Sequence, residues 1–165
     1  MKMRFLTTVI IGVAILFVSA GIYAKSAPDV IPLQDPAYEE HKKGVVQFEH
    51  KKHWDDYAKQ YPELYPNKCG ECHHDKDNKP LTQLKDGDDV QKCIECHKIP
   101  GEVPKDLKKE WRKKKMKKAE QNKLELEYHA EALHENCRNC HKEFNKKYKP
   151  KKAPTTCAKC HPKSE

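Results

Sequence analysis

Cys69, Cys72 and His73 form a pattern that the chain repeats three more times, at Cys93, Cys96 and His97, at Cys137, Cys140 and His141, and at Cys157, Cys160 and His161. All eight cysteines are used. Two thiols at this spacing can add to the two vinyl groups of one haem, and the adjoining histidine can reach its iron as an axial ligand. The expected chemistry is therefore covalent haem c attachment at four places. Two Cys-x-x-Cys pairs could instead hold one zinc ion through four thiolates. A zinc site has no use for a histidine after every second cysteine. A disulfide framework does not usually space its cysteines so evenly.

A low-spin electron-transfer haem needs a second axial ligand, usually His or Met. Past the first few residues Met116 is the sole methionine, so methionine cannot serve four irons. Six histidines lie outside the motifs: His41, His50, His53, His74, His129 and His134. Four of them would complete four bis-histidine irons. His74 adjoins His73, and adjacent residues cannot readily place imidazoles on opposite faces of one iron. It should serve a different haem and so lock two haems together. His50 and His53 lie about one turn apart if helical, and each could reach a separate iron. His134 shares a helix face with His141, so it too should ligate a neighbouring haem. His129 competes for that role, and the helical pattern does not choose between them. His41 reads as a surface residue. With every iron capped, an electron carrier is expected and no catalytic residue is assigned. An open iron position would instead suit a terminal reductase.

The elements that must position these groups are unevenly written. Lys2 and Arg4 precede an apolar stretch from Phe5 to Ala24, which reads as an export signal over residues 1–24, cleaved after Ala24. Export suits paired cysteines and haem c attachment. The rival is an uncleaved anchor, because about 20 apolar residues can span a bilayer. Residues 25–43 carry Pro28, Pro32 and Pro36 and read as an extended arm. Residues 44–165 are expected to form a single tetrahaem domain. In it, Val45-Val46-Gln47-Phe48 is a short β-prone run. Residues 54–68 suggest a brief helical turn and a loop at Pro62 and Pro66. Pro100-Gly101 and Pro104 break the chain again. From 105 to 135 there is no Pro or Gly, and the spacing predicts one long helix. Leu126, Ala130, Leu133 and Cys137 should line its buried face. Its first half, Lys108 to Lys118, is dense in lysine. Such a run is usually a solvated face, or else it docks an acidic partner.

Composition limits what this chain can do alone. Charged residues make up 35% of it, apolar ones 36%, and the formal net charge is +8. So polar a chain cannot offset its own conformational entropy. Haem surfaces are expected to supply most of the core. Haem propionates offset the positive charge, so the basic balance is no argument for nucleic-acid binding.

Three stretches resemble the tetrahaem cytochrome c3 family: Val45-Val46-Gln47-Phe48-Glu49-His50-Lys51-Lys52-His53, Cys69-Gly70-Glu71-Cys72-His73-His74, and Tyr128-His129-Ala130-Glu131-Ala132-Leu133-His134. The resemblance covers roughly residues 44–161. It implies a small multihaem fold, mainly α and irregular with a short β segment, wrapped around four covalent haems. It also implies axial pairs of His50 with His73, His74 with His97, His53 with His141 and His134 with His161. The implied role is periplasmic electron transfer in sulfate respiration, between hydrogenases and other cytochromes or membrane redox complexes. The chain departs from the family pattern in three ways. All four cysteine gaps are two residues, where the family often has four at its second and fourth sites. The stretch between the second and third motifs is long and lysine-rich. His134 lies closer to Cys137 than in many members. These features look more like the type II members that work beside membrane redox complexes.

Overall fold

The computed structural model describes residues 26–40, 43–149 and 152–162. The expected export signal and His41 lie outside these residues. One unit comprises Pro28–Lys85 and Asp89–Glu165. Ala27 and Asp86–Asp88 belong to a second unit, in which the Ala27 N–H donates to the Asp86 carboxylate at 2.9 Å.

The main unit is helical and irregular, with one two-stranded sheet. Strand β1 (Ile31–Pro32) pairs antiparallel with β2 (Gln47–Phe48), placing Ile31 opposite Phe48. The proline-rich arm is thus part of the main body from Pro28 onward, because Ile31–Pro32 finds a backbone partner. After β2 the chain enters a wide helical turn, Lys52–Tyr57, which continues into α1 (Ala58–Gln60). Single 3₁₀ turns follow at Pro62–Leu64 and Lys68–Glu71. The remaining helices are α2 (Cys93–Cys96), α3 (Lys105–Lys113), α4 (Lys118–Glu125), α5 (His129–Lys147) and α6 (Cys157–Cys160).

The single helix expected over 105–135 is three helices, and the last runs on through the third motif to Lys147. The first break is a C-terminal cap. Met116 N–H bonds to the Trp111 carbonyl and Lys115 N–H to the Arg112 carbonyl, both at 3.0 Å. Lys115 takes φ +50°, the left-handed conformation that glycine usually supplies at this position. No glycine marks the stop in the sequence, so composition alone reads through it. The second break serves another segment. Ile99 N–H donates to Glu127 O at 3.0 Å, and His129 N–H donates to Ile99 O at 2.8 Å. The backbone of 126–128 is used to hold the loop that follows the second motif.

Among the described residues only Val103 and Trp111 are buried apolar side chains. Val103 lies just before α3 and Trp111 in its last turn. Trp54 and Tyr57, beside His53, are 38% exposed. A chain of this length ordinarily buries well over half of its surface, so protein atoms alone make a very small core here.

Candidate functional site

Each motif winds one helical turn. The amide of the motif histidine donates to the carbonyl of the first cysteine at 2.9 Å in His73 and His97 and at 2.7 Å in His161, and His141 sits inside α5. Residues i, i+3 and i+4 of a helix share a face. Each turn therefore presents its two thiols and its imidazole on one side.

Each motif histidine faces a non-motif histidine. Ring centroids are 6.4 Å apart for His50 and His73, 6.0 Å for His74 and His97, 6.2 Å for His53 and His141, and 6.3 Å for His134 and His161. Two metal–imidazole bonds of about 2 Å each, plus the reach from each nitrogen to its ring centre, come to roughly this separation. The spacing is too wide for ring stacking contact and right for one metal atom between them. Among the described residues the histidines gather in pairs, and no group of three or more His, Cys, Asp or Glu forms a metal cluster.

Backbone contacts set the ring orientations. Nδ1 of His53 donates to Glu49 O at 2.9 Å, and that of His74 to Asp75 O at 2.7 Å. His97 donates to Leu126 O, His141 to Pro154 O at 2.6 Å, and His161 to Gly44 O at 3.0 Å. A carbonyl can only accept, so Nδ1 carries the proton in all five rings and the Nε2 lone pair is left for a metal. Burial holds His73, His134 and His141 below the ordinary histidine range, which keeps these rings neutral at pH 7. The Nδ1 atom of His50 is buried without a hydrogen-bond partner. Neutral, oriented, paired imidazoles beside Cys-x-x-Cys turns fit covalent haem.

Several residues that position the site carried no signal in the sequence. Gly44 lies so close to Pro162 that a Cβ there would collide with the Pro162 carbonyl. Only glycine allows the His161 segment to seat against residue 44. Gly70 likewise packs on Pro80 and Leu81. The Asn145 side chain both donates to Ala153 O at 2.8 Å and accepts from Ala153 N–H at 3.1 Å. That clamp holds the loop whose Pro154 carbonyl orients His141. Asn136 donates to Cys72 O at 3.3 Å, tying α5 to the first motif.

His134 faces His161, whereas His129 packs on Tyr38 with Nδ1 2.9 Å from the phenol oxygen. The lysine run 108–118 is partly neutralised. Lys108 pairs with Glu131 at 2.7 Å, Lys109 with Asp106 at 2.9 Å, Lys114 with Glu110 at 2.6 Å and Lys118 with Glu125 at 3.7 Å. Lys113, Lys115 and Lys117 stay exposed around the α3 cap.

The motifs and the paired imidazoles define a c-type cytochrome. A family model described as the class III cytochrome C family matches residues 28–161, and the chain belongs to that family. Its members are multihaem electron carriers with covalently attached c-type haems, typically periplasmic. No curated protein matches the chain, and no solved structure does. Among the described residues no helix is long and apolar enough to cross a membrane.

Proposed function

We propose that this protein is a periplasmic tetrahaem electron shuttle with four bis-histidine irons. It would take electrons from a hydrogenase or similar donor and pass them to other cytochromes or a membrane redox complex in sulfate respiration. The observation that carries the reading is the set of four facing histidine pairs, each joining a motif histidine to one from elsewhere in the chain. Cys69 with Cys72, Cys93 with Cys96, Cys137 with Cys140 and Cys157 with Cys160 would hold the haems. His50, His53, His74 and His134 would supply the second ligands.

When bound, haem supplies the one-electron couple at iron, and the chain supplies orientation and electrostatics. The residues argue for crowding. His73 and His74 are adjacent yet face different partners, and His50 and His53 sit on one short helical segment. The wide turn beginning at Lys52 opens the winding between that second pair. Sites linked this closely suit electron tunnelling, which falls off steeply with distance. Burial of apolar haem faces against Trp54, Tyr57 and the half-buried face of α5 would supply the core that the side chains lack.

Docking is assigned to Lys113, Lys115 and Lys117, which would meet an acidic partner in a small transient interface. Replacing all three by Gln should slow electron exchange at low salt and flatten its salt dependence. Unchanged rates would remove this surface from the proposal.

Intact mass under denaturing conditions tests the central reading, using protein from a host that matures c-type cytochromes. A chain starting near Lys25 with four haems is expected. A haem-free mass would end the reading, and four haems on an uncleaved chain would make the protein a membrane-anchored relay. A ferrous spectrum that shifts with carbon monoxide would reveal an open iron and favour a reductase.

A further inference from the structure

Six of the eight paired imidazoles have a defined contact at Nδ1. Five of these contacts are neutral backbone carbonyls. The sixth is a charge: Nδ1 of His134 lies 3.6 Å from a carboxylate oxygen of Glu102. His134 is the ring that faces His161.

Glu102 is held there from both sides. Gly101, at φ +93°, turns the chain after the second motif, and its carbonyl accepts from Ala130 N–H at 3.2 Å. Val103 is buried, and its N–H donates to the Glu131 carboxylate at 3.2 Å. The residues before and after Glu102 are therefore both fastened to α5, the helix that carries His134. The other carboxylate near His134 is Glu131, and it is committed to Lys108 and the Val103 amide. Arg138 is the nearby cation on α5. Glu102 is left as the carboxylate aimed at the ring.

We propose that Glu102 is a positioning and tuning residue for the haem held between His134 and His161. This rests on the haem reading above. A carboxylate 3.6 Å from Nδ1 places negative charge beside the ring, favours the proton on Nδ1 and so makes Nε2 a stronger donor. A more basic axial ligand and a nearby negative charge both favour ferric over ferrous iron, so that haem takes a lower potential than it would with a carbonyl partner. The loop that follows the second motif thus sets the potential of the haem attached at the fourth.

The test is Glu102→Gln in the fully loaded protein, with the four potentials resolved by a redox titration followed by NMR. Gln keeps the shape, so the change isolates the charge. The haem showing contacts to His134 should become about three- to tenfold easier to reduce, a positive shift of about 30–60 mV for one electron, while the other three stay put. Glu102→Asp should restore part of the difference. Four unmoved potentials, or an equal shift in all four, would overturn the proposal while four low-spin haems in the parent protein leave the haem reading intact. Fewer than four low-spin haems in the parent would count against the haem reading and, with it, against the proposal.

Discussion

His134 and His129 differ in what each ring faces. His134 is opposite His161, and His129 is bound to Tyr38. His134→Ala should leave one iron with an open position, read as a high-spin component that binds carbon monoxide. His129→Ala should leave all four irons low-spin. His129 also carries a stability term. Burial lowers its pKa, with Asp35 opposing and His97 adding to the shift. The unfolded chain therefore binds its proton first as pH falls. Stability is expected to fall as pH drops below the ordinary histidine value of about 6.5 and to level off below the lowered folded value. His129→Gln should flatten that slope in urea titrations across this range. Gly44 offers a different kind of check. Gly44→Ala forces the Pro162 segment outward, so it should weaken the His161 contact. The expected readout is selective loss of one low-spin signal with the other three retained.

Helix boundaries carry the next level of control. The α3 cap places Lys115 at φ +50°, which costs a residue with a Cβ about 1–2 kcal/mol. Glycine avoids that strain but loses more backbone entropy on folding. Lys115→Gly should therefore stabilise the protein by about 0.5–1 kcal/mol, seen as a raised midpoint in urea. A lowered midpoint would mean the cap is not formed in solution. The break at 126–128 has a functional reason, since Leu126 O accepts from His97 and Glu127 O holds Ile99. Helix α5 then joins three sites. It carries His134, the whole third motif, and Asn136 against Cys72. As free thiols, Cys72 and Cys137 are pushed up by burial, to about 12 and about 11, with the cysteines of other motifs adding to the shift. The thiols of separate motifs thus lie near one another.

At the scale of the molecule, the scarcity of buried side chains among the described residues decides how it folds. Val103 and Trp111 cannot balance the entropy of ordering so long a chain. A variant with all eight cysteines replaced by serine should be largely unfolded by circular dichroism. A native-like helical signal from it would show that the polypeptide folds without haem.

The sequence by itself determined the four Cys-x-x-Cys-His turns, the six histidines outside them, the short strand at Gln47–Phe48 and the family. These are local: five consecutive residues make a motif, and two alternate apolar positions make a strand. The resemblance implied the four pairs while spacing left His134 and His129 open, and only tertiary structure brings the rings face to face, because those partners lie far apart in the chain. Tertiary structure also decided the two helix breaks, the glycine contact at Gly44, the Asn145 clamp and the carboxylate at His134. Each depends on a backbone carbonyl, a left-handed residue or a charge brought from a distant loop. Backbone groups are the same at every position, so no pattern of side chains could announce which of them would be used.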